Sequence, residues 1–398
     1  MSIFIRLMLL GLAFLALFKD DSSVIENSEF WTELEWDPIS MMFKKVSLYV
    51  GLLGAAAGCA LILMCRKKVV RLGSASLPYL GLLLYVVFRV AVEGESAAGK
   101  YVLGFVLMLV LLVAIEFYIS NFGVGQCVSE LSFSLGVVAI FYVLLNFVGM
   151  VMGYGYVPGN PRFFGTSSHP NFIGVQLALC DLTLLYLLNR SRSVSAILVV
   201  LVLLAVGLYM QAASGSRTGL AVFAVGLVFW MLASRGFKLK ASLIYAMIVF
   251  GVLCLAGYLY FFADIADAFD RGDHGYDTRS EVWAALLKTS LENPIFGTGY
   301  FIAASENSYL RGAAAYGVPY ALVLVGVVCK ASFDLYRGVR ISSRIRPELA
   351  LFLSYLMALS AGGVLEGYLI DTLSYQILVF VLSLSVASRG LAKSVRRV

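Results

Sequence analysis

Residues 101–119 read YVLGFVLMLVLLVAIEFYI and hold one charged side chain, Glu116. About twenty apolar residues in a row are what a helix needs to cross the hydrocarbon of a bilayer. Runs of this kind recur from one end of the chain to the other. They raise the hydrophobic share to 61% and hold the charged share at 14%, where soluble domains average about 45–50% and about 25%. Strands of a membrane barrel alternate in polarity at every second residue, and these runs do not. The reading is an all-α, polytopic helical membrane protein, one integral membrane domain over residues 1–398.

Twelve spans follow from the runs, at about 3–18, 46–65, 77–92, 101–119, 131–152, 170–188, 194–213, 218–234, 241–262, 308–329, 348–365 and 370–388. No small-x-small cleavage site follows the first run, so it is read as a helix rather than a signal peptide. Lysine and arginine in short loops set the orientation. With twelve spans, Arg66, Lys67, Lys68, Arg71, Arg190, Arg192, Arg235, Lys238, Lys240, Lys330, Arg337, Arg340, Arg344, Arg346 and the tail from Arg389 to Arg397 all fall on one side. That side is read as cytoplasmic. Lys19, Lys44 and Lys45 run against the count, and the segment 20–40, with Trp31 and Trp36, reads as an interfacial helix.

The opposite face carries the polar part of the chain. Residues 264–320 read DIADAFDRGDHGYDTRSEVWAALLKTSLENPIFGTGYFIAASENSYLRGAAAYGVPY. The reading is one long extracytoplasmic loop over 263–307. Long loops in compact folds are uncommon and usually functional. Asp264, Asp267, Asp270 and Asp273 recur every third residue. They lack the glycine and the distal glutamate of a calcium loop, so they read as a solvated face, and His274 as structural. The six cysteines lie in apolar runs or in cytoplasmic loops and imply no disulfide framework. With two histidines and no CxxC, no protein-built metal site is expected. No basic patch suits nucleic acid.

Arg89 and Arg271 aside, four arginines stand on the outer side against the charge rule: Arg162, Arg217, Arg279 and Arg311. A guanidinium grips phosphate oxygens in pairs, so a set of them converging on one cavity suits a diphosphate. Each alone equally reads as an interfacial arginine or a partner for a loop carboxylate. His169, in GTSSHPN, reads as a helix-start residue before Pro170 or as a base. Glu306, beside Asn307, reads as a general base for a hydroxyl or as a carboxylate favoured by the start of a helix. Asp181 falls inside a span and must face the interior and find a partner there, or be protonated. Arg89 and Glu93 are spaced for an ion pair. Glu366 and Asp371, in the short link between the last two spans, read as lining the same cavity or, by preference, as solvated.

These residues fall in four blocks that together resemble the bacterial O-antigen polymerase and ligase superfamily. The blocks are R162-FFGTSSHPN-FIG, G215-SRTGL, D277-TRSEVWAALLKTSLENPIFGTGY and E306-NSYLRGAAAYG. They occur in the family's order on one predicted face. The resemblance implies an inner-membrane glycosyltransferase with its site on the extracytoplasmic face. Such an enzyme moves an oligosaccharide from an undecaprenyl diphosphate carrier to a hydroxyl acceptor. Arg162, Arg217, Arg279 and Arg311 would hold the diphosphate, with Asn171 and Asn307 in support and Glu306 or His169 as base. No cofactor or metal is expected, because the donor already carries its leaving group. Expected partners are the lipid-linked oligosaccharide, membrane lipid and a chain-length regulator. Ligases of the family carry histidine where this chain has Glu306, which tilts the reading toward polymerisation of surface-polysaccharide repeat units. A ligase, and a transporter or flippase of the lipid-linked unit, are the alternatives.

Overall fold

The computed structural model describes residues 1–19, 34–65, 73–93, 98–234, 278–299, 306–370 and 373–388. Thirteen α-helices lie among them. They are α1 (Ser2–Phe18), α2 (Pro38–Met64), α3 (Ser76–Glu93), α4 (Ala98–Phe122), α5 (Val124–Val151), α6 (Pro170–Arg190), α7 (Val194–Ala213), α8 (Arg217–Ala233), α9 (Thr278–Glu292), α10 (Ser308–Tyr316), α11 (Val318–Ile341), α12 (Arg346–Leu365) and α13 (Tyr375–Ser388). A two-stranded hairpin, β1 (Tyr156–Val157) and β2 (Asn160–Phe163), and a 3₁₀ turn (Tyr368–Ile370) complete the described elements. Seven helices are long and apolar enough to cross a membrane, and four shorter ones are apolar as well. The expected span 241–262 and the acidic segment 264–273 lie outside the described residues.

The helices end where the sequence supplies a stop or a cap. Asp37, His169, Ser193 and Ser216 each accept backbone N–H groups at the starts of α2, α6, α7 and α8. These groups are unpaired at a helix start. Helix α6 lies at the centre, against α5, α7, α8, α12 and α13. It is buried nearly all round, which is why its sequence is apolar on every face rather than on one stripe. Helices α1 and α2 approach closely through small residues. A Cβ on Gly11 would lie 2.8 Å from Gly54 Cα. Between lipid-exposed helices such close backbone packing replaces the hydrophobic drive available in water.

Polar pairs tie the helix ends, and they fall on two faces. Arg6 pairs with Glu130, Ser76 with Glu116, and Arg190 with Glu348 at 3.7 Å, all on the face read as cytoplasmic. The opposite face carries the hairpin, the turn at 214–216, α9, α10 and the 366–374 link.

Four expectations change. Helix α2 begins at residue 38, not 46, so Lys44 lies inside it. Lys44 is buried, sits 4.0 Å over the Trp36 ring and donates to the Lys19 carbonyl, and that explains how a lysine stands on this side. The expected span 308–329 is two helices, α10 and α11, broken at Gly317. Helix α11 then runs on to residue 341 and carries Lys330, Arg337 and Arg340. Arg89 donates to the Phe296 carbonyl at 2.8 Å and to the Tyr85 hydroxyl at 3.2 Å, rather than acting only within its own helix. The segment read as loop up to 307 contains helix α9, which packs on α10.

The break at Gly317 has a local cause. The segment Asn293–Gly299 folds over the junction of α10 and α11. Val318 N donates to the Pro294 carbonyl at 2.8 Å, and Thr298 N and Gly299 N donate to the carbonyls of Ala314 and Ala315. Gly317 has φ +95°, and a Cβ there would lie 2.0 Å from the Ile295 carbonyl oxygen. Only glycine meets both demands. Gly317→Ala should therefore cost at least the roughly 1–3 kcal/mol of a strained backbone, seen as a clear drop in the thermal unfolding midpoint of the detergent-solubilised protein. Gly326→Ala, also in α11 but with open space around the added methyl, should be neutral or slightly stabilising. Equal behaviour of the two variants would contradict this account of the junction.

Candidate active site

The site begins with the hairpin that carries Arg162. Gly155 and Gly165, with φ +80° and +54°, turn the chain into and out of it. Buried Asn146 of α5 accepts Thr166 N at 2.9 Å, and Thr166 Oγ1 donates to Tyr142 Oη at 3.0 Å. The hairpin is thus pinned to the bundle by buried polar groups. At its end Arg162 bridges two helices. Its Nε donates to the Ser214 carbonyl at 2.9 Å and its Nη2 to Asn171 Oδ1 at 3.0 Å, with the Gly215 carbonyl at 3.4 Å. A lysine could not span these acceptors with one fixed plane of donors.

Asn171 passes the chain on. Its Nδ2 donates to Oε1 of Glu366 at 2.9 Å, and Thr218 Oγ1 donates to the same oxygen at 3.0 Å. The main chain of Glu366 is used too. Its carbonyl accepts Ser308 N at 3.1 Å and Ser308 Oγ at 2.6 Å. Ser308 Oγ in turn accepts Leu369 N at 3.0 Å. Asn171, Thr218 and Ser308 stand in the first turns of α6, α8 and α10, so three helix N-termini point at the residue that ends α12. Helix N-termini favour negative charge. Glu366 is only 3% exposed, and its surroundings explain how a carboxyl is accommodated at that depth. The expectation of a solvated Glu366 is overturned. Asp371 lies outside the described residues.

Most of the predicted site residues gather here. Arg311 is buried and donates to the Gly367 carbonyl at 3.3 Å, which holds α10 to the link after Glu366. Asn307 caps α10, accepting Tyr309 N and Leu310 N at 3.1 Å, with φ +53°. Among the described residues it is the one non-glycine with positive φ, and strain of this kind collects at functional sites. His169 caps α6, its Nδ1 accepting Asn171 N at 3.1 Å. That bond places the ring proton on Nε2. Arg217 is exposed at the first position of α8, beside Thr218. Glu306 is half-buried next to Asn307 and makes no hydrogen bond to the described residues. Arg279 stands in the first turn of α9, and its side chain lies outside the described part of the structure. Tyr368, in the 3₁₀ turn after Glu366, donates to the Leu359 carbonyl at 2.8 Å. Burial, with Tyr309 and Glu366 nearby, pushes its phenol well above the ordinary range.

Asp181 belongs to a different place. It is fully buried midway along α6, against Gly207 of α7, and neither carboxyl oxygen has a hydrogen-bond partner among the described residues. The expected interior partner is not seen there. The residues the sequence missed are Thr218 and Ser308, and Glu366, weighed as a cavity residue, was given the solvated reading instead. The signal was an acid at the outer end of an apolar span, where carboxylates are costly.

Residues 203–327, about a third of the chain, match a protein-family model described as O-antigen ligase. The match begins in α7, includes Arg217, Thr218, Arg279, Glu306, Ser308 and Arg311, and ends in α11. It supports the O-antigen polymerase and ligase superfamily. No curated protein matches the chain.

If Glu366 is the anchor, removing its donors should destabilise the fold. Asn171→Ala and Thr218→Val each take away one hydrogen bond to a buried carboxyl, worth roughly 1.5–3 kcal/mol. Both should lower the thermal unfolding midpoint, whereas exposed Arg217→Ala should stay within about 0.5 kcal/mol of the parent. A neutral Thr218→Val would contradict the bonding described here.

Proposed function

We propose, for a membrane protein of the O-antigen polymerase and ligase superfamily, that the Arg162–Asn171–Glu366 network is the core of a glycosyltransferase site. The enzyme transfers a glycan from an undecaprenyl diphosphate carrier to a hydroxyl acceptor, and the acceptor is another lipid-linked repeat unit of a surface polysaccharide. The observation that supports this reading most is the convergence itself. Residues from three of the four motif blocks that carry the family resemblance, far apart in sequence, are held on one residue, Glu366: Asn171 and Thr218 on its carboxyl and Ser308 on its main-chain carbonyl.

The division of labour follows from chemistry. Arg217, exposed at the start of α8, and Arg162, half-buried beside it across Ser214 and Gly215, present positive charge next to a helix N-terminus. Such a place suits phosphate oxygens. Charge builds on the diphosphate as the glycosidic bond breaks, so donors held in advance act mainly on the transition state. Arg279 enters from α9, on the other motif block. Arg311 is committed to the Gly367 carbonyl and serves the scaffold, positioning Asn307 and Glu306 rather than touching phosphate. Glu306 takes the proton from the acceptor hydroxyl as the oxygen attacks the anomeric carbon from the face opposite the leaving diphosphate, inverting its configuration. His169 holds Asn171 in place through its cap. The diphosphate leaves with its own negative charge, and the scheme needs no metal or nucleotide. The site faces outside the cytoplasmic membrane of a bacterium, where the positive-inside count puts these loops.

A ligase reading differs only in the acceptor. The glutamate at 306, where ligases of the resembled family carry histidine, favours the polymerase. A transporter reading would require its key charges at mid-membrane. Here they gather at one end of the helices, apart from Asp181.

The test is purified protein with lipid-linked repeat unit, in chelator. Glu306→Gln should lose transfer by roughly 10²–10⁴-fold, the usual worth of a general base, while still retaining the donor. Arg217→Lys should weaken donor binding. A glutamine variant that builds polymer at the parent rate would remove Glu306 from the reaction, and a requirement for added divalent ion would end the metal-free scheme.

A further inference from the structure

A second polar feature lies on the same face, across the first turn of α6 from the Arg162–Glu366 network. A cleft opens between the outer ends of α1, α6 and α13. Its lining includes Ala16, Lys19, Phe172, Gln176, Ser374 and Gln376. With its open mouth it encloses about 370 Å³, and its inner part is narrow.

The two glutamines are arranged in the same way. Gln176 is 6% and Gln376 1% exposed. Gln176 is tethered by its oxygen, which accepts Tyr142 Oη at 2.6 Å. Gln376 is tethered by its nitrogen, which donates to the Phe172 carbonyl at 3.4 Å. Among the described residues, Gln176 Nε2 and Gln376 Oε1 have no partner. Neither atom is sealed from solvent, so each is open to a ligand at the cleft. One cleft therefore lines up a fixed donor and a fixed acceptor, with the edge of Phe172 beside them. The ligand that answers both is a group with a carbonyl and an N–H side by side, small enough for a narrow end and carrying an apolar methyl. An acetamido substituent has this form.

We propose that this cleft is a subsite for the acetamido group of an N-acetylated sugar, with the sugar ring at the open mouth. In this arrangement Gln176 Nε2 donates to the acetamido carbonyl, Gln376 Oε1 accepts its N–H, and the methyl group lies toward Phe172. Assigning the sugar to the transferred glycan rests on the transferase reading above. The amide recognition does not.

Saturation-transfer NMR on the purified protein in lipid nanodiscs tests it, with N-acetylglucosamine and glucose as probes. The acetamido methyl should receive the strongest saturation, and glucose should bind at least tenfold more weakly. Gln176→Met and Gln376→Met, which keep the volume and remove the amide, should each weaken N-acetylglucosamine roughly tenfold, a hydrogen bond's usual worth. Gly326→Ala, which adds a methyl in open space on α11, should leave it unchanged. Should a glutamine variant fail to fold, Ala16→Phe fills the cleft without touching either amide and should give the same loss. Equal binding of glucose, or unaltered binding in the folded variants, would overturn the subsite. In the transfer reaction, competition by N-acetylglucosamine against the acceptor alone assigns the group to the acceptor glycan, and competition against the donor alone assigns it to the donor. Inhibition that competes with neither would overturn its place in the reaction. Specific binding of the probe with no transfer from any lipid-linked donor would keep the cleft and remove the transferase reading.

Discussion

The outer face of this protein depends on one buried carboxyl. Glu366 ends α12, and a residue in the first turn of three other helices donates to it: Asn171 in α6 and Thr218 in α8 to its carboxyl, and Ser308 in α10 to its main-chain carbonyl. Placing a carboxyl among apolar helices is unfavourable unless donors and dipoles surround it. Here that requirement fixes where four helices end. Arg162 and Arg311 then attach to the same knot from either side, through Asn171 and through the Gly367 carbonyl. The arrangement is a rigid floor for any site at this surface, because none of these groups can move without leaving another unpaired.

Two further constraints shape what lies above the floor. The break at Gly317 lets α10 and α11 take different directions, and the Asn293–Gly299 segment fills the angle between them. That brings α9, with Arg279 in its first turn, against α10. On the other side, the chain Asn146–Thr166–Tyr142–Gln176 pins the hairpin of Arg162 and also sets the amide of Gln176 at its cleft. The same buried hydroxyl of Tyr142 therefore serves both the arginine and the neighbouring cleft.

The helical, polytopic fold was legible because the bilayer imposes one length scale on every span. Span ends were less so. Lys44 reads as a residue outside the membrane until Trp36 is seen beneath it, and the run 308–329 is apolar across a junction that only tertiary contact with Ile295 creates. Of the site, the arginines were readable from their residue type on the disfavoured side, and Asn171 from the family resemblance. Arg162 and Arg311 attach to the Glu366 knot through Asn171 and the Gly367 carbonyl, while Arg217 stands exposed beside Thr218. Glu366 was misread because solvation and burial among helix starts look alike in a sequence, where the donors lie 58 to 195 residues away. Long-range polar pairing leaves no periodicity to read.

The central claim is that Arg162, Asn171 and Glu366 act as one unit in catalysis. A double-mutant cycle on Asn171→Ala and Glu366→Gln, read as transfer rate with purified protein in nanodiscs, tests it most directly. Groups that work as a unit lose most of their effect when either is removed. Each single variant should lose at least roughly 10²-fold, and the double variant should be no slower than the worse single. Losses that multiply, or single variants near the parent rate, would contradict the account.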